Sequence, residues 1–213
     1  MKAFIFDLDG VIVFTDKYHY QAWKKMADGM GIYFDENINN RLRGVSRAES
    51  LEIILEKYDG QLTPDKKAAL LEEKNNTYRN LLAGMTPADV TDEVIDTLLK
   101  LKQRGHKLAI GSSSKNARFI LDKVGLTEMF NAISDGNNIS RSKPDPEVFL
   151  KAAEFIGKSC EECIVLEDAY AGIDAAYAAQ MTAVGIGDAA GYDKADYQIK
   201  SFNQLLTLPC IKI

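Results

Sequence analysis

Apolar residues along this chain fall into two kinds of pattern. Short apolar runs at residues 2–6, 107–111, 132–134, 163–166 and 182–186 each stop at Gly, Ser, Asp or Glu, and read as buried strands. Between the later runs, apolar positions recur at helical spacing over 92–104, 116–124 and 146–156, closed by Gly105, Gly125 and Gly157. Strands alternating with helices predict an α/β fold with a Rossmann-like parallel sheet covered on both faces.

Residues 16–84 break this rhythm, because they carry helical patterns and no strand. Ser46-Arg47-Ala48-Glu49 is a capping box that opens a helix to Tyr58. Thr63-Pro64 sets a cap and a first-turn proline before a helix reaching about Leu82. Residues 16–30 and 36–42 complete a small helical group. The pattern predicts an inserted α-helical cap domain over residues 15–85, hinged on two short linkers to a core made of residues 1–14 and 86–213. At 213 residues, 46% of them apolar, the chain has the length for both parts.

In open α/β sheets, ligands bind beyond the carboxyl ends of the strands, so polar residues there are candidates for chemistry. Four clusters qualify: Asp7-Leu8-Asp9-Gly10, Ser112-Ser113-Ser114-Lys115-Asn116, Ser142-Lys143-Pro144-Asp145, and Glu167-Asp168. Each has a plain structural reading. An Asp-x-Asp suits a turn, a serine run suits a helix cap, Lys-Pro-Asp-Pro suits a helix start, and an acidic pair is usually solvated. Their coincidence at the strand ends of one sheet favours function, because carboxylates packed together repel unless a cation joins them. Magnesium suits such oxygen donors together with a phosphate. A carboxylate nucleophile, a lysine and a hydroxyl-and-amide cradle are then the parts of a phosphoryl-transfer site, and a second carboxylate supplies acid and base.

Charge sharpens this reading. The formal net charge of -5 argues against a nucleic-acid binder, so a small anionic substrate needs local cations. No apolar run approaches the length of a membrane span, and carboxylates follow the first strand too soon for a signal peptide. The expected location is therefore the cytoplasm, with no membrane partner. Cys160 and Cys163 form a lone Cys-x-x-Cys, read with Cys210 as bystander thiols. His106 is read as structural. Arg47, near the start of its helix, is electrostatically misplaced unless an anion binds there.

The segments Phe6-Asp7-Leu8-Asp9-Gly10-Val11, Ser112, Lys143-Pro144 and Leu166-Glu167-Asp168-Ala169-Tyr170-Ala171-Gly172-Ile173 resemble, in this order, the four motifs of the haloacid dehalogenase superfamily. Thr15 to His19 with Trp23, Arg43 to Arg47 with Ser50, and Ser114 to Asn116 resemble a sugar-phosphate mutase branch of that superfamily. The resemblance implies Asp7 as nucleophile and Asp9 as general acid and base, with Thr15 and His19 at the hinge aligning Asp9. It implies Mg²⁺ held by Asp7, the backbone carbonyl of Asp9 and Asp168, with Glu167 either a further ligand or a residue supporting those ligands. Ser112 and Lys143 would grip the transferring phosphoryl group. Arg47 would hold the distal phosphate with Ser114, Lys115 and Asn116, Trp23, Gly44, Val45, Ser50 and Lys74 would line the sugar pocket, and Ser46 and Ser113 would also bind substrate. The implied reaction interconverts β-D-glucose 1-phosphate and glucose 6-phosphate, with β-D-glucose 1,6-bisphosphate as intermediate and activator, in a monomer. The alternatives are a Mg²⁺-dependent sugar-phosphate phosphatase and a catalytically silent sugar-phosphate sensor. Phe14 and Ser113 depart from the family pattern, at the hinge and in the cradle.

Overall fold

The computed structural model of the chain describes residues 1–42 and 45–211. Six strands form one wholly parallel sheet: β1 (Ala3–Phe6), β2 (Lys107–Gly111), β3 (Ala132–Ser134), β4 (Cys163–Glu167), β5 (Thr182–Gly185) and β6 (Tyr197–Gln198), in the order β3-β2-β1-β4-β5-β6. The register sets Phe6 beside Ile110 on one side and Leu166 on the other. Asp7, Ser112 and Glu167 therefore leave the sheet along one edge. Backbone bonds fix that edge: Asp7 N–H donates to Leu166 O at 3.0 Å, and Ser112 N–H donates to Ser134 O at 3.1 Å.

Both faces of the sheet are buried, as the continuous apolar runs predicted, and alternation sorts the side chains between them. Phe4 and Phe6 enter a core with α5 (Asp92–Gln103) and α6 (Ala117–Lys123), while Ala3 and Ile5 join the opposite face with α7 (Glu147–Ile156) and α8 (Tyr170–Ala178). Four helices come between β1 and α5: α1 (Asp16–Gly29), α2 (Glu36–Asn40), α3 (Arg47–Leu55) and α4 (Pro64–Leu82). They form a cap with an apolar core of its own, built on Trp23, Met26, Leu51, Ile54 and Leu70. Among the described residues no helix is long and apolar enough to cross a membrane.

The local signals explain the boundaries. Ser46 and Glu49 exchange the two bonds of a capping box at the start of α3, and Thr63 caps α4 ahead of Pro64. Gly157 closes α7 in the left-handed conformation, φ 62°. Several boundaries differ from the expectation, and one strand was not expected. The third helix stops at Leu55, with Tyr58 N–H turned back to Leu55 O, and α2 stops at Asn40. The fourth strand extends to Glu167, so this carboxylate is a strand residue. The two-residue β6 has no apolar run to betray it, and its pairing is made by neighbours in space.

Candidate active site

Where β1 and β4 end side by side, Asp7, Glu167 and Asp168 converge, each offering an oxygen within 4.8 Å of the others. Lys143 is brought in by the loop before α7. Its ammonium donates to Asp7 Oδ1 and to Glu167 Oε1, and lies 4.8 Å from the centre of the Phe149 ring. Burial alone would lower the Lys143 pKa, but Asp7 and Glu167 outweigh it and hold the group charged. Burial pushes the Asp7 carboxyl up, Lys143 opposes this, and the charges of Glu167 and Asp168 reinforce it. A compact set of hard oxygens under mutual repulsion fits a small divalent cation, and is consistent with a magnesium site. Two glycines make room for it: a Cβ on Gly10, at φ +83°, would overlap the Asp168 carboxylate, and one on Gly172 would overlap Glu167. The remaining Glu167 oxygen accepts from Ala169 N–H at 3.0 Å.

Beside this centre the chain leaving β2 folds on its own hydroxyls. Ser114 N–H donates to Ser112 Oγ and Asn116 N–H donates to Ser114 Oγ, each at 3.2 Å. The Ser113 hydroxyl is enclosed and has no hydrogen-bond partner among the described residues. Gly136 lies so close that a Cβ there would strike the Ser113 carbonyl.

Asp9 is held differently from Asp7. Its carboxylate takes no part in the acidic cluster and accepts instead from Thr15 Oγ1, which is 2.9 Å from Tyr78 OH. Burial raises the Asp9 pKa to about 6, partly offset by the Thr15 hydrogen bond and by Lys74. The His19 ring lies tilted against that of Tyr78, with centroids 4.1 Å apart, and its Nδ1 lies 3.0 Å from Lys74 Nζ. Burial, then Lys74 and Arg47, push His19 well below its usual range, so the ring is neutral. Lys74, only 2% exposed, sits 4.5 Å over the Trp23 ring and 4.6 Å over that of Tyr78. Burial and Arg47 lower its pKa to about 7. Arg47 is the first residue of α3, and burial lowers its pKa too.

All these groups meet in one cavity of about 810 Å³ between core and cap, a size suited to a small metabolite. From the core, Asp7, Asp9, Lys143, Glu167, Asp168 and the Ser112 to Asn116 stretch line it; from the cap, His19, Trp23, Val45, Ser46, Arg47, Ser50 and Lys74. Thr15, fully buried, stands behind Asp9 outside the lining, and Gly44 and Arg43 lie outside the described residues. Sequence reasoning passed over Tyr78, Asn39, Arg141 and Asp188, which also line the cavity. Tyr78 had a usable signal, since it follows Lys74 by one helical turn. His106 is structural, its Nδ1 3.2 Å from Lys2 O. Cys160, Cys163 and Cys210 are free thiols, and burial raises Cys163 to about 11.

A buried carboxylate just past the first strand, a lysine from a later loop and an acidic pair at the end of the fourth strand are the arrangement of a class of phosphoryl-transfer fold. The chain belongs to that class: residues 1–180 match the haloacid dehalogenase-like hydrolase family. Within the family, the Beta-phosphoglucomutase of Bacillus subtilis (strain 168) is 41% identical over 207 residues, spanning 96% of this chain and 92% of that protein. The crystal structure of beta-phosphoglucomutase from Clostridium difficile superposes with a TM-score of 0.90 at 41% identity, covering 96% of this chain and 93% of that one. A fructose-1-phosphate phosphatase of Escherichia coli (strain K12) is 32% identical over 185 residues, 85% of this chain and 94% of its own length.

Proposed function

We propose that this chain is a β-phosphoglucomutase, interconverting β-D-glucose 1-phosphate and glucose 6-phosphate. The observation that carries the reading is a cavity with cations from both parts of the fold: Lys143 from the core, and Arg47 and Lys74 from the cap. A bisphosphate can be held at one end while the other reacts, a grip a simple phosphatase does not require. The resemblance to both mutases runs through the cap as well as the core, 96% of the chain in each case.

In this reading the core is residues 1–14 and 86–213 and the cap residues 15–85. Asp7 carries the phosphoryl group as an acyl phosphate. The substrate's free hydroxyl attacks that phosphorus, the bond to the Asp7 oxygen breaks, and Asp9 takes the hydroxyl proton. The bisphosphate turns over, Asp7 attacks the other phosphorus, and Asp9 returns the proton to the departing sugar oxygen. Thr15 holds Asp9 in line, and an Asp9 carboxyl near pH 6 serves in both directions. Asp7, Glu167 and Asp168, with the Asp9 carbonyl, would hold Mg²⁺, which would supply charge neutralisation at the phosphoryl oxygens. Ser112 and Lys143 orient the same oxygens, and Arg47 with Ser114, Lys115 and Asn116 holds the distal phosphate. Closing the cap keeps water from the acyl phosphate.

Incubation with β-glucose 1-phosphate, Mg²⁺ and a trace of β-glucose 1,6-bisphosphate tests the proposal. Glucose 6-phosphate is the expected product, and Asp7→Asn abolishes it. Free phosphate as the main product makes the protein a phosphatase, and isomerisation by Asp7→Asn would remove the mechanism.

A further inference from the structure

Helix α4 carries two adjacent pairs of side chains with different destinations. Lys74 and Tyr78 face the cavity, while Asn75 and Arg79, each one residue further on, reach the core. Asn116 precedes α6 in the capping position, where asparagine is among the best residues, yet its side chain makes no cap hydrogen bond. It reaches across to α4 instead. Asn116 Nδ2 donates to Asn75 Oδ1 at 2.9 Å, and Asn116 Oδ1 accepts from Arg79 Nη1 at 3.3 Å. The Arg79 guanidinium also lies 4.4 Å over the Phe119 ring of α6. Both ends of the Asn116 amide are thus committed to α4, while its backbone N–H is committed to Ser114 and through it to Ser112.

We propose that Arg79 is a positioning residue, and that with Asn75 and Asn116 it forms a latch fixing the rotation of α4 against the phosphate cradle. Successive residues on a helix are about 100° apart, so a helix pinned through 75 and 79 has the direction of 74 and 78 settled. The latch aims Lys74 at His19 and Tyr78 at Thr15, and it holds Asn116 where the cradle needs it. Arg79 does not line the cavity, so its effect passes through Asn116. The inference rests on the phosphoryl-transfer reading of the cavity.

The test is a mutant cycle. In Arg79→Ala, KM for β-glucose 1-phosphate is expected to rise roughly 5-fold, the net scale of one ordinary hydrogen bond, with the melting temperature near that of wild type. Arg79→Lys restores most of the loss, since an ammonium can reach both Asn116 Oδ1 and the Phe119 ring. In an Asn116→Ala background the further change on Arg79→Ala falls below about 2-fold, because the shared partner is gone. A readout independent of turnover is the fluorescence of Trp23, the one tryptophan of the chain, titrated with glucose 6-phosphate; its apparent affinity should follow the same cycle. Wild-type kinetics and affinity in Arg79→Ala, or equal losses in the two backgrounds, would overturn the latch. If the wild type releases phosphate instead of isomerising, the mutase reading fails, and the cycle run on phosphate release and on Trp23 still decides the latch.

Discussion

Two buried lysines line one cavity and meet opposite environments. Lys143, at the core end, lies between the carboxylates of Asp7 and Glu167, which hold it charged against the cost of burial. Lys74, at the cap end and just as buried, has two aromatic faces and a neutral imidazole for company, with Arg47 nearby, and its pKa falls to about 7. Among the described residues neither Lys74 nor Arg47 makes an ion pair. At the core end the lysine is compensated before substrate arrives, whereas the cap end is a set of desolvated cations that an anion would complete. The difference separates the two tasks of a mutase: chemistry needs preorganised charge, and recognition needs charge that the ligand itself satisfies.

The largest expected effect tests the compensated end. Lys143→Met leaves three carboxylates facing one another, and breaking a buried pair of this kind costs about 3–5 kcal/mol of stability. Unfolding in urea should show that loss, saturating Mg²⁺ should recover part of it by neutralising the same oxygens, and mutase turnover should vanish. A variant that unfolds like wild type with or without Mg²⁺ would break the comparison at its stronger half. At the other end, Arg47→Ala should leave unfolding unchanged, since no partner is orphaned. It should raise KM for β-glucose 1-phosphate about 10- to 100-fold, the value of a charge-assisted phosphate contact. A stability loss without a KM change would mean that Arg47 is structural.

The core end was far more legible in the sequence than the cap end, for a physical reason. Asp7, Glu167 and Asp168 are delivered by strand ends, and a parallel sheet forces consecutive strand ends to one edge, so apolar runs alone place these three together, while Lys143 arrives on the loop before α7. Helices offer no such edge. Their spacing tells which residues share a face but not what that face meets, so Arg79 was invisible, and Tyr78 was passed over although its spacing from Lys74 put both on one face. The haloacid dehalogenase resemblance supplied what periodicity lacks in the cap, above all Arg47, His19 and Trp23. The capping signals at Ser46 and Thr63 located helix starts well; the end of α3 ran past its last helical residue because the turn to Tyr58 keeps an apolar pattern. Strand β6 left no trace, as two residues paired at a sheet edge carry no periodicity.

The next effect in size sharpens the account of Lys74. Its proton leaves near pH 7 in the folded protein and near the ordinary lysine value of 10.5 in the unfolded chain. Between those values the unfolded chain binds more protons, so the Lys74 contribution to stability rises with pH, by up to about 1.4 kcal/mol per pH unit, and is flat below the window. Lys74→Met should remove that rise, seen as the difference between wild-type and variant unfolding free energies at several pH values. His19, Arg47, Tyr78 and Asp9 face the same site and remain in both proteins. A difference independent of pH would show that Lys74 stays charged, and the two lysines would then be alike.

The smallest effect concerns the one place where the core end resembles the cap end. The Ser113 hydroxyl is enclosed without a hydrogen-bond partner among the described residues, on a cradle whose other two serine hydroxyls already accept backbone bonds. An unsatisfied buried hydroxyl costs stability when no ligand is present and returns it when a phosphate oxygen accepts from it. Ser113→Ala should therefore move two measurements in opposite directions: unfolding free energy up by no more than about 1 kcal/mol, and KM for β-glucose 1-phosphate up about 2- to 5-fold. This pairing is diagnostic, because a packing defect lowers stability and a bystander leaves KM alone. If only stability changes, the core end is complete without Ser113, and the contrast between a filled core and an unfilled cap holds without exception. If both change as expected, the core too keeps one donor in reserve for the substrate, placed where the family pattern is departed from.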